Sequence, residues 1–167
     1  EVSVVLEAEG DGRRSYTLQS TMEQREGAPQ ERSVEEPADG PRLRSGNPFF
    51  DALFALAVDD LRLNSVNEIR DGSYNEGEPI RRSVFQTGEK WTYVWTRDVA
   101  YAIDLSLGSL APERAAETLL FKTSGFRDTV PYPSSLPPKA LQIVQDTGSG
   151  GSWPVSTDRV SWAFAAE

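Results

Sequence analysis

The residues with the strongest chemical potential lie in "KWTYVWTRDVAYAIDLSLG", Lys90 to Gly108, where three aromatic side chains lead up to an Arg-Asp pair. Trp91, Tyr93 and Trp95 fall on one side if this approach is extended, because side chains alternate along a strand. Such a platform offers flat apolar area with polar edges, which suits the C–H faces of a sugar ring. Arg97 donates through a rigid fork and Asp98 accepts through two oxygens, so the pair can grip neighbouring hydroxyls. The plainer alternatives are core packing for the aromatics, a helix-dipole role for Asp98 and a solvated Arg97.

A second stretch, "GSGGSWPVSTDRVSW", has the same grammar: a Gly-rich loop, Trp153, a small hydroxyl residue, then Asp158-Arg159 opening a helix. Arg-Asp and Asp-Arg thus occupy equivalent places, and Trp95, Arg97, Asp98, Trp153 and Asp158 are expected to converge on one sugar-sized pocket. For Asp158, a first-turn acid that merely complements the helix dipole is an equally good reading. The glycines do not make a phosphate loop, since "GSGGSWP" has neither the Lys-Ser/Thr ending nor the GxGxxG spacing.

Composition narrows the chemistry further. The 167 residues include no His and no Cys, which removes the commonest metal ligand and general base, thiolate zinc sites and any disulfide framework. Acid–base work therefore falls to carboxylates. No metal and no nucleotide or redox cofactor is expected, although calcium is left open. With 17 Lys and Arg against 26 Asp and Glu, the net charge of −9 argues against nucleic-acid binding. No apolar run approaches the ~20 residues that span a bilayer, so no membrane span is expected.

These motifs need elements to position them. Val2, Val4 and Leu6 alternate before "EGDG", and "RRSYTLQST" resumes the alternation, which predicts a β-hairpin within residues 1–22. Charge, Pro and Gly dominate residues 23–46, read as a linker or extended crossing segment. Asn47 as cap and Pro48 at the first helical position open a helix whose apolar stripe runs through Phe50, Leu53, Phe54, Ala57 and Leu61, widened by Phe49 and Leu56 until most sides should be enclosed. "VNEIRDGSYNEGEPIRRSVFQTGEK" reads as a long connection. A second helix is predicted from about Thr96 to Leu107, capped by Thr96 and stopped by Gly108; a third runs from Pro112 to about Lys122, and a fourth begins after Ser156 or Thr157.

"YVWTRDVAYAIDLSL" resembles the W-x-R-D helix entrance of the six-hairpin glycosidases, the clan of glucoamylases, trehalases and glycogen-debranching glucosidases. "GSWPVSTDRVSWA" resembles the following loop and helix of bacterial amylo-α-1,6-glucosidase-like members, so the likeness runs from about Asn47 to Glu167. It implies a mainly α fold: the opening helices of an (α/α)6 toroid over residues 47–167, preceded by a linker and a hairpin from a β-sandwich. It also implies hydrolysis of an α-linked glucoside or related oligosaccharide, with inversion and two carboxylates on opposite faces of the sugar. By that likeness Arg97 and Asp98 hold sugar hydroxyls and Trp95 walls the subsite. Twelve helices of ~11–12 residues joined by ~5-residue connections need about 200 residues, so the chain is expected to be part of a longer enzyme, completed by its remaining portion, with the catalytic acid and base elsewhere. A non-catalytic carbohydrate-binding or interaction module is the alternative.

Overall fold

The structure, a computed structural model, describes residues 1–23, 30–70, 75–123, 141–144 and 157–167. The chain divides into two compact units, Glu1–Leu63 and Asn64–Glu167.

The first unit is a three-stranded antiparallel sheet, β1 (Val2–Gly10), β2 (Arg13–Ser20) and β3 (Glu31–Glu35) in that order, with helix α1 (Pro48–Leu63). The hairpin between β1 and β2 closes through Asp11 and Gly12, both at positive φ (44° and 77°), a two-residue turn whose twist matches that of the strands. Tyr16, Leu18 and Val34 share one sheet face because Tyr16 pairs with Val34 and Leu18 lies two residues on. They form a core with Ala52 and Ala55 of α1.

Asn47 caps α1 as expected, its side-chain oxygen accepting the Phe49 N–H at 3.0 Å. The buried stripe differs from the predicted one. It consists of Asp51, Ala52, Ala55 and Val58, while Phe50 and Leu53 are exposed. Two alanines let the helix backbone approach the sheet closely, and Asp51 is held inside by the Ser45 N–H and hydroxyl, each at 2.8 Å, and by Arg14 of β2 at 3.2 Å. The crossing segment is likewise not a plain linker, since Glu31–Glu35 pairs with β2 and Arg42 and Arg44 both donate to the carbonyl of Gly12.

In the second unit β4 (Ser65–Ile69) and β5 (Ile80–Phe85) form an antiparallel pair with a bulge between Val66 and Glu68. Helix α2 (Thr96–Ala102) passes into a π-helical segment, Ile103–Leu107, and a last turn, α3 (Gly108–Leu110), before α4 (Pro112–Phe121) and α5 (Asp158–Ala165). Gly108 does not stop the helix: it stays helical at φ −58°, and a Cβ there would stand 3.1 Å from the carbonyl oxygen of Ile103. The widened turn needs that close approach, and the helical path breaks at Ala111 instead, before Pro112 starts the next helix.

Ile69, Val84, Val94, Val99 and Phe121 make the core of this unit. Helix α4 is keyed to β5 by Thr118, which is fully buried. Its hydroxyl accepts the Phe85 N–H at 3.0 Å and donates to the Arg114 carbonyl at 2.7 Å. Arg114 in turn donates to the carbonyls of Val66 and Val84, occupying the bulge. Replacing Thr118 by valine keeps the volume but orphans the Phe85 N–H, so denaturant unfolding should show a loss of ~1–3 kcal/mol. Thr118→Ser, which keeps the hydroxyl, should lose less; equal losses would assign the effect to packing.

The expected mainly α toroid opening is therefore corrected. The described residues are 41% helix and 28% strand, a mixed α/β build with two small antiparallel sheets. The strands of the second sheet lie in the stretch read as a connection. There the bulge at Val66 and the charged Arg81 and Arg82 interrupt the alternation, although Ile69, Val84 and Phe85 are buried. No helix of the described residues is long and apolar enough to cross a membrane.

Candidate functional site

The aromatic approach to α2 is a tight loop and not an extended strand. Thr87 closes it from both sides: its N–H donates to the Tyr93 carbonyl at 2.7 Å, and its hydroxyl accepts the Trp95 N–H at 2.9 Å. Gly88 and Trp91 pair across the turn, each donating its N–H to the other's carbonyl at 3.3 and 3.0 Å. Val94 at the end of the loop is fully buried and anchors it to the core.

This closure brings the three aromatics together by folding the loop. Trp91 and Trp95 stand with ring centroids 5.0 Å apart at 40°, and Tyr93 meets Trp95 edge-on at 6.1 Å and 86°. Trp91 is 56% exposed, so its outer face is open to a ligand. Tyr93 packs against the core, and the Lys122 ammonium lies 5.3 Å from its ring centroid.

Trp95 is the N-cap of α2, with extended backbone at φ −84° and ψ 126°. Thr96, predicted for that role, is the first helical residue instead. Its hydroxyl is buried and donates to the Val144 carbonyl at 2.7 Å, pinning the start of the helix to residues 141–144. Sequence patterning favours Thr at a cap, and the buried acceptor outside the helix is what sets the alternative.

Arg97 and Asp158, from the two helix starts that share a grammar, are neighbours. An Arg97 Nη stands 3.1 Å from the Thr157 hydroxyl, to which it donates, and 3.7 Å from an Asp158 carboxylate oxygen. Asp158 is fully buried and Arg97 is about one-third exposed. The contact joins the first turns of α2 and α5, so Arg97 has an ion-pairing role besides any ligand contact. Asp98, the next residue, is exposed. Trp153 lies outside the described residues.

Three contributors were not singled out from sequence. Thr87 belongs to no motif and lies in the stretch read as a connection, and Thr157 stands in the sequence only as a small hydroxyl residue at a helix start. Lys122 follows α4 and reads as an ordinary surface charge, yet it is fully buried. Among the described residues, one shallow groove is lined by Asn67, Arg81, Arg82, Ser83 and Glu117 and another runs along α5 beside Val160 and Phe164; neither includes Trp95, Arg97, Asp98 or Asp158.

Chemically, the loop and the α2 start offer an exposed indole face followed by a guanidinium and a carboxylate within the first helical turn. Such a set can stack against a flat C–H surface and exchange hydrogen bonds with adjacent hydroxyls. Among the described residues no group of three or more Asp or Glu side chains is gathered as a metal ion would need. Searches of protein-family models, of curated proteins and of solved structures find no match to this chain.

Proposed function

We propose that the chain supplies sugar-binding residues of a glycoside hydrolase that cleaves an α-linked glucoside or related oligosaccharide with inversion. The observation that carries the reading is the tilted Trp91–Trp95 pair, with Trp91 open to solvent, set directly before Arg97 and Asp98 at the head of α2. The W-x-R-D likeness to six-hairpin glycosidases supports it through those residues and not through the toroid.

In this reading a sugar ring lies on the indole face, and Asp98 accepts hydrogen bonds from its hydroxyls. Arg97, held by Thr157 and Asp158, presents its guanidinium at a constrained angle. No catalytic acid or base is assigned in this chain. Asp158 is fully buried behind Arg97 and serves as its charge partner.

A second reading, a carbohydrate-binding module without hydrolysis, rests on the same exposed indole pair, which can bind a sugar with no acid or base beside it. One experiment separates the two. The full-length protein is incubated with a panel of α- and β-glucosides and the first anomer released is followed by NMR. Release of the β-anomer from an α-glucoside supports the inverting hydrolase, retention overturns the mechanism, and sugar binding without turnover selects the binding module.

A further inference from the structure

A stacking platform built from loop side chains recognises a sugar efficiently only if its rings are already held at one angle, because ordering them on binding would offset the contact energy. Thr87 fixes the backbone of the loop, but the rings are set by their neighbours. Trp91 lies on Trp95, and Trp95 receives the edge of Tyr93. Behind Tyr93, toward the interior, stands Lys122, its Nζ 5.3 Å from the Tyr93 centroid and 5.9 Å from that of Phe121.

Full burial is unusual for lysine, whose charge normally stays in water. An aromatic face attracts a cation within about 6 Å, most strongly where water is excluded. The backbone of Lys122 is itself held in place. Its N–H donates to the Leu119 carbonyl at 3.1 Å, its carbonyl accepts the Val144 N–H at 2.8 Å, and the Val144 carbonyl receives the Thr96 hydroxyl. One connected set of contacts therefore runs from the end of α4, through the start of α2, to the exposed indole.

We propose that Lys122 is the positioning residue of the aromatic platform: alongside its other contacts, its buried ammonium holds the Tyr93 ring, which sets Trp95 and thereby Trp91 at the angle that receives the sugar ring of an α-linked oligosaccharide. The choice of ligand rests on the sugar-binding reading; the positioning role rests on geometry alone.

Two indoles stacked at a fixed tilt give an exciton couplet in circular dichroism, and its loss in Trp91→Phe would assign it to the Trp91–Trp95 pair. Lys122→Met should abolish most of that couplet in the absence of sugar. It should also weaken binding of an α-linked glucose trisaccharide about 5-fold, equivalent to about 1 kcal/mol. Placing phenylalanine and its increasingly fluorinated analogues at position 93 drains the ring face of negative potential while keeping its shape, so the couplet should fall stepwise. That series decides alone if Lys122→Met does not fold. A flat series, or an unchanged couplet in folded Lys122→Met, overturns the proposal. A couplet that depends on Lys122 in a wild-type protein that binds no trisaccharide would instead overturn the sugar reading and uphold the positioning role.

Discussion

Replacing Glu36 by alanine is expected to destabilise the first unit by about 2–4 kcal/mol, read as faster amide exchange in β2 and α1 of the full chain. Glu36 is only 2% exposed and gathers four donors: both Arg44 terminal nitrogens at 2.5 and 2.7 Å, the Arg14 N–H at 2.9 Å and the Tyr16 hydroxyl at 3.3 Å. Arg44 is about one-third exposed and can turn to water when its partner goes. The Tyr16 hydroxyl cannot, because Tyr16 is fully buried, and the orphaned donors account for most of the loss.

The same carboxylate gives the unit its acid sensitivity. Burial by itself would push the Glu36 carboxyl up, but the Arg44 fork, the Arg14 N–H and the Tyr16 hydroxyl outweigh it and hold the group below its ordinary 4.5. Asp51 is held below its ordinary 3.8 first by the Ser45 N–H, then, against burial, by the Ser45 hydroxyl and by Arg14. A depressed carboxyl pKa means the unfolded chain binds protons more readily, so the stabilisation is complete above the unfolded values and is lost as pH falls through the folded ones. The stability gap between wild type and Glu36→Gln should therefore be flat from pH 8 to about 5 and close progressively below about 4. A gap that persists unchanged into strong acid would show that shape, and not charge, makes the difference.

Glu36 and Asp51 also show where the sequence was legible and where it was not. The hairpin was readable because alternation and the Asp-Gly turn are local signals, and α1 because Asn47 and Pro48 announce its start. The buried carboxylates were not, since "EEPADGPRLRSG" has the composition of a solvated linker. What orders it are bonds to residues far along the chain: Arg42 and Arg44 to Gly12, and the Arg14 N–H and Tyr16 hydroxyl to Glu36. On α1 the large apolar residues drew the predicted stripe, while close packing on a sheet favoured the two alanines. In the second unit β4 and β5 carry too few apolar residues, with a bulge among them, to stand out from a loop.

At the candidate site the motif residues were visible as types in a repeated pattern, and the structure places Arg97 beside Asp158. The supports were invisible for a physical reason. Thr87 acts through its backbone and hydroxyl across a turn, and Lys122 through a ring contact 29 residues from Tyr93. Neither interaction leaves a periodicity. A helix start can be read from adjacent residues, whereas a buried charge is recognisable only once the fold has enclosed it.

Under the proposed glycosidase reading, Asp98→Ala is expected to lower kcat/KM for an α-linked glucoside by about 5- to 150-fold, the equivalent of ~1–3 kcal/mol of transition-state binding. Asp98 is the better probe of the pair because Arg97 is tied into the fold: removing its guanidinium strips the fully buried Asp158 of an ion-pair partner and perturbs the junction of α2 and α5. Asp98 is exposed in the first turn of α2, where its structural worth is the helix-dipole contribution of ~0.3–1 kcal/mol. A fall in kcat/KM well beyond that figure, with the melting transition little changed, would separate hydroxyl recognition from helix stabilisation. Asp98→Asn refines the test. The amide keeps an acceptor oxygen but loses the charge that strengthens bonds to sugar hydroxyls, so its activity should lie between those of wild type and the alanine variant. If kcat/KM is unchanged in both variants, Asp98 does no more than complement the helix dipole, and sugar recognition at the head of α2 would have to rest on the indoles.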